Sequence, residues 1–428
     1  MIKFYIATLF LLHGLAPAPG VSFGFLIATL SIVYALPSRR FIGARLRLDD
    51  GFFFLVFLLG LVPFILEPSR VGMQNLIYSG MWLVIGAVCF WWIRESILAA
   101  RIEFVEISKA AAVGSILLAI FILSEFILVN TTGLYLSDFV HFSIDEFPIA
   151  KIFGDEINRP RGFTAEAGFS AIVFECLLPL SIAWLRGGRL RPWLFCALVI
   201  PGYLALFSGA TLLMMCVVLL VFLGLIRSWM LAILVGCLVT VLIAVITYTF
   251  AEAYWLVDQV IGRKVLEFIA EDEIVSISTF TRPEAYALAL KIMTEQPWGI
   301  GWGGVSQAKA DDFLLFGFEL RGSGLISIPL EIGASAGVVG MVLFIVIVWR
   351  KLARLVRYDS LESRLTFISL FWVCLHHAVV LEFWFPMIWL SLALADVVAA
   401  RAKGLVCCIC GSGARERSHC LARVYGPA

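Results

Sequence analysis

Two arginines in this sequence stand beside the predicted start of a helix, where a phosphate group can bind. Arg161 lies three residues before Thr164, a favourable N-cap for the apolar stretch that follows. Arg282 lies within Thr281-Arg-Pro-Glu284, a capping box with proline in the first turn. A helix N-terminus favours anions, and arginine binds phosphate through two parallel hydrogen bonds that lysine cannot form. Together the two arginines predict a site for a diphosphate.

Each arginine also has a structural interpretation. Arg161 is suited to contact lipid headgroups at a membrane edge or to pair with Glu166. Arg282 opposes the dipole of its own helix by up to about 1 kcal/mol, so an anionic partner is expected. That partner is either a ligand or a carboxylate, such as Glu284 or the acidic segment 271–273.

A glycine-rich segment follows the helix that Arg282 begins. This helix is predicted to run to Gln296 with one apolar stripe, so it lies flat on the bundle or on the membrane surface. Pro297 ends it, and the segment 297–304 contains four glycines. Backbone without Cβ atoms can approach a ligand closely, which makes Gly299, Gly301 and Trp302 candidate substrate contacts.

The elements that must position these residues are predicted to be membrane helices. Of 428 residues, 61% are apolar and only 15% are charged, whereas a soluble domain has about a quarter charged residues. This composition excludes a water-soluble enzyme and a disordered chain. The net charge of +1 and the lack of a dense basic block exclude nucleic-acid binding.

About twelve apolar stretches approach the length that a helix needs to cross a bilayer. Their predicted bounds are 3–16, 21–37, 51–66, 74–93, 110–130, 167–185, 193–207, 209–226, 229–250, 324–349, 365–381 and 383–400. The stretch at 193–226 is alternatively one kinked helix and a re-entrant piece. The first stretch could pass for a signal peptide, but another apolar run follows it directly, so we interpret it as a retained helix.

Basic residues predict the orientation, because they are retained on the cytoplasmic side of a membrane. If twelve spans alternate, the main basic loops share one side: 39–47, 94–109, 186–191, Arg227 and 350–364. Both termini are then cytoplasmic, and residues 401–428 form a cytoplasmic tail after a single transmembrane domain, 1–400. Two long loops, about 131–166 and about 251–323, lie outside and are expected to carry the function.

Metal binding has two weak candidates. Most of the ten cysteines lie in apolar runs, where thiols behave as small hydrophobic groups. A tail cluster could bind a metal, but its spacing matches no standard zinc pattern; it comprises Cys407, Cys408, Cys410, His419 and Cys420. The pair Asp311 and Asp312 is more typical of a solvated acidic face than of a cation site. We therefore predict no metal.

The motifs, in this order, resemble those of the O-antigen ligase and polysaccharide polymerase superfamily. The resemblance is carried by Arg161-Gly-Phe-Thr-Ala-Glu166, by the Arg282 helix with Pro297-Trp-Gly-Ile-Gly-Trp-Gly303, by Gly337-Val-Val-Gly340 and by Pro386-Met-Ile-Trp-Leu390. It implies an all-α polytopic membrane protein of about twelve transmembrane helices, with a glycosyltransferase-C-like bundle and two long extracytoplasmic loops. The implied location is the bacterial inner membrane, with the active site outside.

The implied activity is transfer of a glycan from a polyprenyl-diphosphate-linked donor to an acceptor hydroxyl, without metal or other cofactor. Arg161 and Arg282 would hold the donor diphosphate, and Glu166 would lie near the acceptor as the first candidate base. His141 is the second candidate base, although a lone histidine is more often structural. Arg159 and Arg321 would add positive field along the lipid-linked glycan. Membrane lipid, a chain-length regulator and a flippase are the implied partners, and nucleic acid is not.

The sequence departs from the family pattern at three places. The segment 323–327 lacks the histidine that ligases usually carry, which favours a polymerase over a ligase. The segment 208–211 lacks an arginine that is often found there. The first outer loop, 17–20, lacks the acidic residue of metal-dependent glycosyltransferase-C enzymes, which agrees with a metal-free reaction.

Transport, including flipping of a lipid-linked glycan, is the rival class. Ionisable residues in apolar spans often mark proton or substrate paths; here they are Glu125, Glu175, Glu331, Glu382, His376 and His377. Pro329 and Gly333 are candidate breaks of the tenth span, as in transporters. Against transport, the sequence has no repeated pair of broken helices, and these carboxylates are equally suited to hydrogen bonding inside the bundle. A merely structural membrane protein is a third interpretation.

Overall fold

The chain is mostly helical in a computed structural model. The structure describes residues 2–8, 30, 47–68, 71–83, 90–136, 149–152, 155–158, 160, 162, 167–188, 191–206, 288–305, 327–358, 360–378 and 386–410. The helices are α1 (Ile2–Ala7), α2 (Leu48–Leu59), α3 (Val62–Leu66), α4 (Met73–Trp82), α5 (Phe90–Ala99), α6 (Phe104–Thr132), α7 (Ala167–Arg186), α8 (Pro192–Leu204), α9 (Ile328–Val356), α10 (Leu361–His377) and α11 (Pro386–Cys410). Residues 288–295 are also helical.

Four helical segments among the described residues, the first of them α2 together with α3, are long and apolar enough to cross a membrane. They span Leu48–Leu66, Phe104–Thr132, Gly168–Arg186 and Ile328–Val356. Large apolar side chains also stand exposed on their surfaces, for example Ile65, Ile127 and Trp349 at 76%, 63% and 69% exposure. A lipid environment explains such exposure. The predicted class of helical membrane protein is confirmed at this level, and the number twelve stays a prediction.

Several predicted spans coincide with observed helices. The stretch 110–130 lies within α6, 167–185 coincides with α7, and 324–349 overlaps α9. The stretch 74–93 overlaps both α4 and α5, with 84–89 outside the described residues. The predicted spans 21–37, 209–226 and 229–250 fall almost wholly outside the described residues. α11 continues to Cys410, ten residues into the predicted tail.

A short β-hairpin accompanies the helices and was not part of the all-α prediction. β1 (Ile149–Ile152) pairs antiparallel with β2 (Asp155–Asn158), with Ile149 opposite Asn158 and Ile152 opposite Asp155. The hairpin lies in the first predicted outer loop, so the predicted helical bundle itself is unchanged. Four-residue strands offer too few alternations for a sequence pattern to reveal them.

Small residues let α6 pack closely at the centre of the bundle. α6 contacts α1, α7 and α8. A Cβ on Gly114 would lie 3.0 Å from the carbonyl oxygen of Ala7, and a Cβ on Gly202 of α8 would lie 2.9 Å from Cα of Ala119. Close backbone approach through small residues is typical of helix packing in membranes, where van der Waals contact drives association.

α9 is interrupted at Gly337, where the backbone is non-helical (φ 75°, ψ 174°). This location corrects the prediction that Pro329 and Gly333 break the span. Pro329 lies in the first turn, where the N–H that proline lacks has no intrahelical acceptor, so the helix tolerates it. Gly333 lies within the helical part that precedes the break. The positive φ at Gly337 is accessible to glycine at little cost.

A buried ion cluster joins four helices at one end of the bundle. It consists of Asp49 and Asp50 of α2, Arg94 of α5, Lys351 and Arg354 of α9, and Asp396 of α11. Arg94 donates from Nη1 and Nη2 to the two oxygens of Asp50, at 2.6 and 2.9 Å. Arg354 donates in the same paired way to Asp49, at 2.6 and 3.2 Å. Both pairs are bidentate, the strongest form of arginine–carboxylate contact.

Lys351 and Asp396 form the innermost ion pair of the cluster. Lys351 Nζ lies 2.7 Å from Asp396 Oδ1, and both side chains are 1% exposed. Arg94, which is fully buried, lies 3.3 Å from the other oxygen of Asp396. Lys351 Nζ and the Arg94 guanidinium also stand 4.7 and 5.1 Å from the ring centroid of Phe90. The parts of α2, α5, α9 and α11 that carry these residues therefore meet at one place in the bundle.

Candidate functional site

The predicted site residues divide between described and undescribed parts of the chain. Arg161, Arg282, Glu166, Arg159, His141 and Arg321 lie outside the described residues. Gly299, Gly301 and Trp302 are described. What the structure contributes is the packing of the glycine-rich segment and the surroundings of the first turn of α7.

The glycine-rich segment inserts its backbone against the interruption in α9. The N–H groups of Ile300 and Gly301 donate to the carbonyl oxygens of Ala334 and Ser335, at 2.8 and 3.0 Å. In return, the N–H of Val338 donates to the carbonyl oxygen of Pro297 at 3.1 Å. The break at Gly337 thus leaves backbone groups that the segment satisfies, as buried polar groups require.

The glycines at 299 and 301 allow this contact. A Cβ on Gly299 would lie 2.4 Å from the carbonyl oxygen of Ser335, and a Cβ on Gly301 would lie 2.2 Å from the ring of Phe64. Both residues have positive φ, at 86° and 84°. The close approach that the sequence predicted is therefore made to α3 and α9, and contact of these glycines with substrate stays a prediction.

Trp302 anchors the same segment to α2 and α4. Its indole N–H donates to the carbonyl oxygen of Phe57 at 3.0 Å, and its ring lies over Gly60, where a Cβ would be 2.2 Å from Nε1. Its carbonyl oxygen accepts a hydrogen bond from Asn75 Nδ2 at 3.0 Å. With 1% of its surface exposed, Trp302 is a packing residue here, and its contact with substrate stays a prediction.

Replacement of Gly299 by alanine is expected to destabilise the protein by about 2–5 kcal/mol, since a left-handed alanine and a backbone clash both contribute. Gly133 is the matched control, because it also has positive φ (75°), but a Cβ there would have no neighbouring atom within 4 Å. Its replacement by alanine should cost only about 1–2 kcal/mol. Unfolding in detergent micelles measures both. Equal losses would contradict the packing role of Gly299.

A buried polar group lies between α7, α8 and α10. His376 Nδ1 lies 2.7 Å from Oε2 of Glu175, and the Tyr203 hydroxyl donates to Oε1 of Glu175 at 3.1 Å. Glu175 and His376 are fully buried, and Tyr203 is 4% exposed. A carboxylate that accepts two such hydrogen bonds holds both partners in place.

The other ring nitrogen of His376 faces the first turn of α7. A Cβ on Gly168 would lie 3.9 Å from His376 Nε2. Within the described residues, Nε2 is buried and has no hydrogen-bond partner. A ligand or a water molecule that binds there would satisfy this buried polar atom.

The chain that leads into α7 is held in the bundle beside this turn. The N–H of Gly162 donates to Oε2 of the fully buried Glu125 at 2.7 Å. Pro160 and Gly162, which flank Arg161 in sequence, are buried. Gly162 has a positive φ of 72°, and a Cβ there would lie 2.2 Å from the hydroxyl oxygen of Ser170. The two residues that flank Arg161 are thus buried, and Gly162 is bound to α6.

Sequence reasoning missed the pairing within both polar groups. It identified Glu175 and His376 only as separate ionisable residues and did not identify the ion cluster. A signal existed, because Asp396 lies in an apolar stretch and a buried charge requires partners. Glu331 and His377 are also buried, and Glu382 lies outside the described residues. Among the residues that the structure describes, no group of three or more His, Cys, Asp or Glu is placed to hold a metal ion.

No protein-family model matches this chain, and no curated protein matches it in sequence. The functional interpretation therefore depends on the residues themselves and on the resemblance of their motifs.

Proposed function

We propose that the protein is a polysaccharide polymerase, of O-antigen or exopolysaccharide, that acts at the outer face of a bacterial inner membrane. It transfers glycan from a polyprenyl-diphosphate-linked donor to a sugar hydroxyl of a second lipid-linked repeat. The observation that carries the proposal is the anchoring of the segment around Arg161. Pro160 and Gly162 are buried, Gly162 lies beside Ser170 in the first turn of α7, and the Gly162 N–H donates to Glu125.

The chemistry needs charge stabilisation more than acid catalysis. The bond between the anomeric carbon and the diphosphate oxygen breaks, and the diphosphate leaves with the electron pair. Arg161 and Arg282 bind its negative charge. The acceptor oxygen forms the new glycosidic bond and gives its proton to a base. Diphosphate is already a good leaving group, so no metal ion is invoked.

The ion cluster and the basic loops support a proposed orientation. The start of α2 and the last turns of α9 meet in the cluster, and both are next in sequence to loops that are predicted to be cytoplasmic. The first turn of α7 and the glycine-rich segment pack toward the opposite ends of α2, α6 and α9. We therefore assign the glycan-transfer site to the outer side and both termini to the cytoplasm.

Two other functions are alternatives to that of a polymerase. A ligase would use the same donor but pass the glycan to a lipid or protein acceptor. A transporter or flippase is favoured by one observation, the buried contact between Glu175 and His376 within the bundle, because proton-coupled transporters use such groups. The next experiment separates all three.

Incubation of the purified protein with a polyprenyl-diphosphate-linked oligosaccharide repeat in EDTA, without another acceptor, is expected to yield a ladder of lengthened lipid-linked glycans. Mass analysis of the products measures it. The repeat incubated with heat-treated protein is the control. Transfer that occurs only after a lipid or protein acceptor is added would establish the ligase instead. No transfer to any acceptor, with movement of the donor across a vesicle membrane, would establish transport.

A further inference from the structure

The buried polar group of Glu175, Tyr203 and His376 contains one nitrogen, His376 Nε2, that has no hydrogen-bond partner among the described residues. The other two polar contacts within the group are made with the Glu175 carboxylate, one by the Tyr203 hydroxyl and one by His376 Nδ1. The third polar atom, His376 Nε2, is buried and faces the N-terminal turn of α7 beside Gly168. We propose that His376 is the general base that takes the proton from the acceptor hydroxyl, an assignment that rests on the proposed function.

The contact of Nδ1 with Glu175 leaves Nε2 as the ring nitrogen that can exchange a proton with an acceptor. In the proposed mechanism Glu175 is a carboxylate, which only accepts hydrogen bonds, and it accepts one from Tyr203 and one from an N–H at His376 Nδ1. In the neutral imidazole, Nε2 then carries the lone pair. When Nε2 takes a proton, the resulting imidazolium stands 2.7 Å from the carboxylate that stabilises it. Glu175 is therefore a positioning residue for His376.

The position of Nε2 suits an acceptor hydroxyl. Gly168, which has no side chain, adjoins the space in front of Nε2, and a Cβ there would lie 3.9 Å from Nε2, at ordinary van der Waals contact. The N-terminal turn of a 20-residue helix, α7, adjoins the same space, and its dipole favours the negative charge that develops on the attacking oxygen. Glu166 precedes Gly168 by two residues, and Arg161 precedes the buried Gly162 by one. The predicted donor-binding residues therefore adjoin, in sequence, the residues around Nε2.

The step balances without a further reactant. The lone pair of the hydroxyl oxygen attacks the anomeric carbon, the bond to the diphosphate oxygen breaks, and the proton of the hydroxyl moves to His376 Nε2. The imidazolium later gives this proton to solvent. His141 and Glu166 would not be needed as bases, although Glu166 could still orient the acceptor.

The test compares His376→Gln with His377→Gln in the full-length protein. His377 is a matched control because it is the adjacent, equally buried histidine and lines an apolar groove beside Pro329 and Trp349. Loss of a general base reduces the rate by about 10²–10⁴-fold. His376→Gln should show this loss of rate in single turnover with the sugar acceptor. The rate of His377→Gln should stay within about five-fold of the wild-type rate, a far smaller change than loss of a general base produces. Binding of the lipid-linked donor should be unchanged in both.

A second nucleophile separates chemistry from folding. Azide is already ionised and needs no base, so it forms a glycosyl azide as the diphosphate leaves, with no proton to remove. Mass analysis should show that His376→Gln makes this product nearly as fast as wild type. An equal loss with azide and with the sugar acceptor would assign His376 a structural role and overturn the proposal, as would normal sugar transfer by His376→Gln. Wild-type protein that transfers glycan to no acceptor would instead overturn the proposed function.

Discussion

Asp396→Asn is expected to lower the free energy of unfolding by about 3–5 kcal/mol, because it leaves a buried cation without its partner. Lys351 lies 2.7 Å from Asp396, and both are 1% exposed. The substitution would keep the size of the side chain but remove its negative charge. Desolvation of the Lys351 ammonium would then be only partly compensated, since its other carboxylate, Asp49, is 3.7 Å away. Chemical unfolding in detergent micelles measures the loss.

The ion pair between Lys3 and Glu106 provides the matched control. It also joins two helices, but its side chains are 50% and 42% exposed. Glu106→Gln should therefore change stability by at most about 1 kcal/mol, as for other surface pairs. The double variant Lys351→Met with Asp396→Asn should be more stable than Asp396→Asn alone, because no unpaired buried charge remains at position 351. A double variant with the sum of both single losses would contradict this account of the cluster.

Arg282→Ala is expected to reduce glycan transfer by at least about 10³-fold while the amount of folded protein stays normal, an effect as large as that of arginines that stabilise phosphate charge in phosphoryl transfer. Arg161→Ala should behave in the same way. Arg282→Lys should fail nearly as badly, because lysine cannot form two parallel hydrogen bonds with a phosphate group. Single-turnover transfer from the lipid-linked donor measures the loss of rate, and binding of that donor is measured separately.

Arg191 is a matched control for Arg282, because it also precedes a proline at the start of a helix. It is the exposed N-cap residue of α8, and Pro192 follows it. The sequence predicts that its loop is cytoplasmic, away from the site. Arg191→Ala should leave transfer unchanged. Normal transfer by Arg282→Ala would remove that arginine from the mechanism, and an equal loss in Arg191→Ala would mean that the effect is not specific to the site.

The positions of α6, α7 and α9 could be predicted from the sequence, because a span is defined by a long apolar run and little else. The observed helices Phe104–Thr132 and Ala167–Arg186 contain or match the predicted 110–130 and 167–185. The β-hairpin could not be predicted, because two four-residue strands carry little periodicity. The interruption of α9 was expected near Pro329 but occurs at Gly337, where the inserted segment 297–304 binds the freed backbone.

The sequence by itself determined that this protein is apolar, helical and suited to a membrane, and it identified the arginines and glycines that define the proposed site. Only the tertiary structure decided which polar groups meet. Glu175 and His376 are 201 residues apart, and Arg94 and Asp396 are 302 apart. Their pairing depends on which helices are neighbours and how each is rotated, and those relations arise from packing between helices that local apolar patterns leave open.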